Sequence, residues 1–241
     1  MWRRGESSRR ARARIFCIGG AVGVVGIGVA GCGGETMPRA VVTPAVVWNG
    51  GPPAGELEAD PWVTALREGT VAFAAATNAA NYTDEALRAT WREDAILRAA
   101  NLAKRGLDEG SAHVALGPRP FTPVLVEPRD DGRSASVWVC IGPAPMLEEG
   151  DPSNPTGVEA MLYGMQLGED GERRVAGARQ PDENHALPGG EQFTDEYCES
   201  IDVRQALFDP APQLELLLAL DGDDVIAPPS PSPTFAVEVP K

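Results

Sequence analysis

Histidine is scarce in this chain, which contains only His113 and His185 among its 241 residues. A catalytic serine or cysteine triad, and most zinc sites, need a histidine close to an acid or a thiol. Neither histidine has such a partner at a suitable spacing, and the chain lacks the G-x-S-x-G, H-E-x-x-H and P-loop motifs. We therefore predict no catalytic triad, no metal site and no bound cofactor, and we interpret both histidines as solvated side chains.

Positive charge is also scarce once the start of the chain is set aside. The chain has 35 acidic and 21 basic residues, a net charge of -14. Residues 1–31 contain six arginines and one glutamate, a net of +5, so the remainder carries -14 - 5 = -19. Nucleic acids and anionic lipid surfaces attract basic patches. This balance predicts no nucleic-acid partner.

The first 31 residues have the three zones of an export signal. The arginines precede an uncharged apolar run from Ile15 to Gly31, and the run ends at Val29-Ala30-Gly31-Cys32. An aliphatic residue and two small residues before a cysteine resemble the lipobox of bacterial lipoproteins. That resemblance implies cleavage before Cys32, acyl chains on Cys32, and anchoring to the outer face of the cell membrane.

Two other interpretations of this leader stay open. The apolar run is about long enough to remain as a signal anchor, although its glycines lower its hydrophobicity and helix propensity. Ser8-Arg9-Arg10 begins like a twin-arginine export signal, but the apolar pair that should follow is missing. We favour the lipoprotein interpretation because the lipobox closes the apolar run.

Cysteine usage agrees with export. Cys17 lies in the leader, Cys32 is the predicted lipidation site, and Cys140 and Cys198 are left to pair in an oxidising compartment. We predict a disulfide between these last two; the alternative is two unpaired buried thiols.

The remaining chain divides by composition into three parts. Residues 32–59 are rich in glycine and proline without amphipathic period and predict a flexible tether. Residues 60–212 predict one α+β domain, in which N-terminal helices pack on a curved antiparallel sheet. Residues 213–241, with their Pro-Ser repeats, predict a largely disordered tail, within which Leu214–Leu220 is apolar enough to dock.

Local signals place the elements of this domain. Asp60-Pro61 is a helix start and precedes a helix over 61–78, and a second helical stretch opens at Thr83 and breaks near Glu93-Asp94. Asp-Gly turns at residues 131–132 and 170–171 predict two hairpins. The predicted strands cover 120–127, 134–142, 158–167 and 172–179. A short helix capped by Asp202 is predicted to follow, joined to the second strand by the disulfide.

The segment Val71–Tyr82, with Asp84-Glu85-Ala86-Leu87 and later Glu93-Asp94-Ala95, resembles the opening of NTF2-like domains such as ketosteroid isomerase and the SnoaL cyclases. The resemblance covers roughly residues 60–180 and implies a cone-shaped fold with an apolar pocket. Two departures stand out: the family usually enters a strand after the acid-Ala pair, whereas Ile96–Lys104 has a helical pattern, and the extension with Cys198 is additional.

Three hypotheses of function follow from these observations. The first is a non-catalytic binding domain for a small apolar ligand or a cell-envelope protein. The second is an isomerase or cyclase with a pocket carboxylate; its candidate pocket residues are Tyr82, Asp94 and Tyr163, and it requires Asp94 to be buried against Tyr163. The third is a structural envelope protein, which predicts no concave pocket.

Overall fold

The computed structural model describes residues 39–148, 157–181 and 185–229. Cys32, the leader, and residues 230–241 of the predicted tail therefore lie outside the described residues. The strands are β1 (Ala45–Trp48), β2 (His113–Ala115), β3 (Phe121–Pro128), β4 (Ser134–Ile141), β5 (Met146–Glu148), β6 (Glu159–Leu167), β7 (Arg173–Arg179) and β8 (Ala206–Asp209). The α-helices are α1 (Pro61–Ala79), α2 (Glu85–Thr90), α3 (Glu93–Glu109), α4 (Asp195–Glu199) and α5 (Leu214–Leu218). Short 3-10 helices occupy Glu56–Ala59 and Gly222–Asp224.

Helix α1 begins where its local sequence predicts. The Asp60 carboxylate accepts a hydrogen bond from the amide of Trp62 at 2.7 Å, and Pro61 occupies the first turn, where its missing N–H is not needed. The helix ends at Ala79, and its C-cap Ala80 adopts a left-handed conformation with φ 46°. The predicted helix over 61–78 is thus confirmed.

The second helical stretch is divided into α2 and α3, close to the predicted break. Asp84 caps α2 by accepting from the amide of Leu87 at 3.2 Å. Between the helices, the amide of Arg92 donates to the carbonyl of Val175 at 3.0 Å, so the chain is extended there and contacts β7. This contact interrupts the helix because an amide used across the sheet edge cannot continue the helical ladder.

The main sheet is antiparallel, with strand order β3-β4-β6-β7. Both predicted hairpins are present, and their turns contain Gly132 and Gly171 with φ of 60° and 85°. Alternate residues of the sheet face α1, and this inner face forms the main core. That core contains Trp62, Val63, Leu66, Phe121, Val137, Val139, Tyr163, Met165 and Val175. The predicted α+β class, with N-terminal helices followed by an antiparallel sheet, is confirmed at this level.

The outer face of the same sheet is covered near β4 by α4 and the loop before it. Cys140 and Cys198 form the predicted disulfide, with Cα atoms 5.2 Å apart. The surrounding cluster contains Trp138, Leu162, Leu187 and Phe193. The disulfide therefore lies inside a second hydrophobic core, opposite the one that α1 closes.

Two predicted segments have a different conformation in the structure, and the cause is the same for both. The predicted tether (32–59) contains β1 and a 3-10 helix, and the predicted helix after Asp202 is instead strand β8, because β1 and β8 pair with each other. The helix carrying Cys198 is α4, which Thr194 caps by accepting from the amide of Tyr197. For the tether and for β8, the pairing of two strands distant in sequence decides the local conformation.

The predicted tail is also ordered at its start. Leu217 of α5 is buried with Ala80 and Val114, and Ile226 forms a backbone bridge with Asn81. The docking expected for Leu214–Leu220 is confirmed, but the domain extends past the predicted limit at residue 212. Along the described part of the chain, we find no helix with the length and hydropathy that a membrane crossing requires.

Candidate functional site

A cavity of about 490 Å³ lies between α1, α2, β1 and the segment before β3. Its volume is within the range of small-molecule sites. Apolar side chains form most of its wall: Val46, Trp48, Val71, Ala72, Ala86, Ala89 and Pro118. Its polar residues are Thr43, Arg67, Glu68, Thr70, Thr90 and Arg119. We call it the α1–α2 cavity.

Small residues on α2 leave this space open. Ala86 and Ala89 are three positions apart, so they lie on one face of α2 and point in the same direction. Trp48 of β1 closes the opposite side because β1 is held in place by its pairing with β8. The cavity thus depends on the segment that sequence analysis predicts as tether.

Arg67 is the fixed cation of the cavity wall. Its Nε and Nη2 donate to the two carboxylate oxygens of Glu58 at 2.6 and 2.5 Å, and Nη2 also donates to the Phe121 carbonyl at 3.1 Å. Its guanidinium carbon lies 4.0 Å from the Phe121 ring centroid and 5.5 Å from that of Trp48. Glu58 neutralises the charge of Arg67, and the two rings fix its plane.

Arg119 has a different environment. Its Nε is buried and has no hydrogen-bond partner, and the ion pairs found among the described residues do not include it. Its charge acts on Tyr163: burial raises the pKa of the Tyr163 hydroxyl, and the positive charge of Arg119 opposes that shift in part. Arg119 therefore lies between the α1–α2 cavity and the main core.

The structure does not bring Tyr82, Asp94 and Tyr163 together around one cavity. Tyr82 is buried at the C-terminal end of α1, where its hydroxyl contacts Thr77 at 3.4 Å; burial raises its pKa. It lines a separate apolar cavity of about 330 Å³ between α1, α3 and α5. Tyr163 is buried within the main core under α1, together with Val137, Met165 and Val175.

Asp94 is exposed, in the first turn of α3. Its carboxylate pairs with Arg92 at 3.0 Å and with Arg98 at 2.9 Å, and its side chain is 46% exposed. Although the small degree of burial raises its pKa, the bonds and charges of Arg98 and Arg92 lower it by more. Asp94 borders a charged cleft of about 710 Å³ with Arg88 and Arg174. A solvent-facing, ion-paired carboxylate does not meet the requirement of the isomerase hypothesis.

The two histidines also differ from their prediction. His185 stacks on Trp138 with ring centroids 3.5 Å apart, and its Nε2 is buried without a partner, so it is not a solvated loop residue. His113 begins β2 and is partly buried beside the smaller apolar cavity. Within residues 39–148, 157–181 and 185–229, no group of three acids, histidines or cysteines could hold a metal ion.

Sequence reasoning missed Arg67 and Arg119 as cavity residues. Arg67 occupies a helical position beside the apolar stripe of α1, which gives no sign of the distant Glu58 and Phe121 contacts. Arg119 stands between Pro118 and Pro120, outside any periodic pattern. An arginine between two prolines is the one feature of the local sequence that indicates this part of the cavity wall.

Comparison of the chain with protein-family models, with curated proteins and with solved structures finds no match.

Proposed function

We propose that this protein is an extracytoplasmic lipoprotein, anchored through lipid on Cys32, whose domain binds a small apolar ligand in the α1–α2 cavity. The cavity is the observation that carries the binding part: it combines an apolar wall with a few polar groups, as ligand sites generally do. The lipobox-like segment Val29-Ala30-Gly31-Cys32 supports the anchor. The Cys140–Cys198 disulfide agrees with an oxidising compartment.

As part of the same proposal, the domain is a divergent NTF2-like fold. Helix α1 packs across the inner face of an antiparallel sheet, as the resemblance implies. The departures are the long helix α3 after Asp94-Ala95, the β1–β8 pair and the α4 segment. Tyr163 and its neighbours pack between α1 and the sheet, and the ligand site we propose is the α1–α2 cavity, whose lining does not include Tyr163.

The anchor is tested by the intact mass of the protein purified from bacterial membranes. We expect the mass of residues 32–241 plus acyl chains. A mass that retains residues 1–31 would contradict lipidation and would support a signal anchor.

Ligand binding is tested by titrating decanol into the full chain carrying Cys32→Ser, in detergent-free buffer, with calorimetric detection. We expect saturable binding that Ala89→Trp abolishes, because the indole would occupy the cavity from a half-buried position on α2. Ala99→Trp, which fills the smaller cavity beside α3, is the matched control and should leave binding unchanged. Absence of binding to the unsubstituted cavity would overturn the ligand-binding proposal.

A cell-envelope protein as partner is the second candidate, and one observation favours it. Val47 and Leu207 lie directly opposite each other on β1 and β8 and are 54% and 49% exposed, so the ribbon presents an apolar pair to solvent. Photo-crosslinking from position 207 in living cells should then give one discrete adduct that Val47→Ser weakens. If crosslinking gives no discrete adduct, the hypothesis of a cell-envelope protein partner is wrong.

A further inference from the structure

Arg119 has no acidic partner among the described residues, and its Nε is buried without a hydrogen-bond partner, as are those of Arg39 and Arg173. Of these three arginines, Arg119 lines the α1–α2 cavity. Acidic residues outnumber basic residues by 35 to 21 in this chain. An arginine without an acidic partner is therefore unexpected. By contrast, Arg67 binds Glu58, Arg174 binds Asp170, and Arg204 lies beside Asp202. A buried donor without a partner lowers stability unless something outside the chain satisfies it.

The position of Arg119 is fixed by its neighbours. Pro118 and Pro120 are buried on either side and restrict the backbone, and the amide of Gly142 donates to the Pro120 carbonyl at 3.0 Å. Arg119 therefore lines the α1–α2 cavity from a conformationally restricted segment. Its guanidinium is a preorganised donor in a wall that is mostly apolar.

The other charges at the cavity define what this donor can bind. Arg67 is neutralised by Glu58, and Glu68 is exposed at the rim. One uncompensated positive charge, that of the half-buried Arg119, therefore remains in the cavity wall, and the negative charge of Glu68 lies at its exposed rim. A ligand with a single negative charge at its buried end and a hydrocarbon body matches this distribution.

We propose that the ligand of the α1–α2 cavity is a monoanionic amphiphile, whose carboxylate accepts hydrogen bonds from the Arg119 guanidinium while its hydrocarbon part contacts Val46, Val71 and Ala89. This inference rests on the proposed ligand-binding function and specifies its ligand class. The planar guanidinium offers parallel N–H groups that match a carboxylate. The threonines at positions 43, 70 and 90 add hydroxyl groups to the wall but no charge.

The test compares decanoate, decanol and decyltrimethylammonium at neutral pH, again with the full Cys32→Ser chain and calorimetric detection. The three probes share a hydrocarbon body and differ in charge. We expect decanoate to bind more tightly than decanol by about tenfold to a hundredfold, the usual range for a charge-assisted hydrogen bond. Decyltrimethylammonium should bind most weakly.

Single substitutions test whether Arg119 causes the preference for decanoate over decanol. Arg119→Gln should remove the preference for decanoate over decanol, while decanol binding stays, and Arg119→Lys should retain part of the preference. Glu68→Gln should strengthen decanoate binding, because it removes a like charge at the rim. Arg105→Gln, an equal change of charge on an exposed position of α3, is the matched control and should have no effect. Urea unfolding of each variant checks that the fold is retained.

The outcomes separate the two proposals. If decanol binds and decanoate binds no better, or if Arg119→Gln leaves the preference unchanged, the anionic ligand is wrong and the apolar site remains. If Arg119→Gln does not fold, the ratio of decanoate to decanol affinity in Arg119→Lys and Glu68→Gln decides in the same way. If no probe binds, the proposed function itself fails.

Discussion

At the scale of single residues, Gly117 shows how closely β8 approaches the segment before β3. The amide of Phe208 donates to the Leu116 carbonyl at 2.8 Å, and a Cβ atom at position 117 would overlap the backbone carbonyl of Ala206. Because the neighbour is backbone, it cannot move aside as a flexible side chain could. Glycine is therefore required at position 117 because a side chain would overlap β8, and not because the backbone angles there are unusual.

We expect Gly117→Ala to lower the free energy of unfolding by about 2 kcal/mol or more, in the range of overpacking substitutions. It should also weaken ligand binding, because displacement of β8 displaces β1 and Trp48 from the cavity wall. Urea unfolding and decanol titration measure the two effects. Gly177→Ala on β7 is the control, since a Cβ there meets nothing within 4 Å. Equal stability of the two variants would contradict the close approach of β8.

Asp170 is an exposed carboxylate that Arg174 holds within the turn of the β6–β7 hairpin. Its carboxylate accepts from both Nη groups of Arg174 at 2.9 and 2.5 Å and from the amide of Glu172 at 3.1 Å. These bonds, those from Arg174 first, lower the pKa of Asp170 to about 2.

A lowered pKa in the folded state means that the unfolded chain takes up the proton first. The stabilisation from Asp170 is therefore complete above about pH 4, the ordinary range for aspartate, and is lost as the pH falls toward 2. NMR titration of the carboxyl carbon should give a midpoint near 2. In Arg174→Gln we expect that midpoint to rise toward the ordinary value; an unchanged midpoint would show that Arg174 is not its cause.

At the scale of elements, the Cys140–Cys198 disulfide joins α4 to β4 across a sequence separation of 58 residues. The loop-entropy relation gives a stabilisation of about 4 kcal/mol for a loop of this length. We expect Cys140→Ala with Cys198→Ala to lower the unfolding free energy by up to that amount. Urea unfolding under oxidising and reducing conditions measures it. The double variant should be insensitive to reductant, and a reductant effect in it would contradict a single disulfide as the source.

Elements defined by neighbouring residues were predictable, and elements defined by distant partners were not. Asp60 and Pro61 start α1, and the Asp-Gly turns form the hairpins, because the relevant hydrogen bonds lie within a few residues. Strand β8 alternates in burial over only four residues, which is too short to distinguish it from a helix without knowing its partner β1.

The candidate site was predictable to a smaller extent. The chemistry of Tyr82, Asp94 and Tyr163 predicts a shared pocket, yet Tyr82 lies beside the smaller cavity, Asp94 in solvent and Tyr163 in the core. The α1–α2 cavity exists where three elements fail to fill the space between them. No sequence pattern predicts such a cavity, because the cavity depends on how the fold brings Trp48, Ala86 and Arg119 together.

At the scale of the whole molecule, the segment after β8 completes the fold. Leu217 is buried against Val114, Ile226 donates to the Ala80 carbonyl at 2.9 Å, and the Ile226 carbonyl accepts from Tyr82 at 2.7 Å. The amide of Gly222 also donates to Asp108 on α3 at 3.0 Å. The end of α1 and the end of α3 are thus held by residues that composition assigns to a tail.

We expect a chain ending at Pro212 to be less stable than one ending at Pro229 by about 3 kcal/mol or more, since the loss of one buried leucine alone costs 2–5 kcal/mol. Urea unfolding of the two truncated chains measures the difference. Leu217→Ala in the longer chain should reproduce a large part of it. Equal stability of the two truncations would show that this segment does not contribute to the core.

The contacts of Arg39 limit how far the domain can move from a lipid on Cys32. The Asn81 side-chain amide donates to the Arg39 carbonyl at 2.6 Å, so the domain holds the chain from residue 39 onward. Arg39 is separated from Cys32 by 39 - 32 = 7 residues, which span at most about 25 Å when fully extended. With lipid on Cys32, as we propose, the domain stays within about that distance of the bilayer. Val46 and Trp48, which follow Arg39 within ten residues, line the cavity. Capture of an amphiphile would then be a local event at the membrane, whose rate follows the surface density of the ligand in the leaflet rather than its concentration in bulk solution.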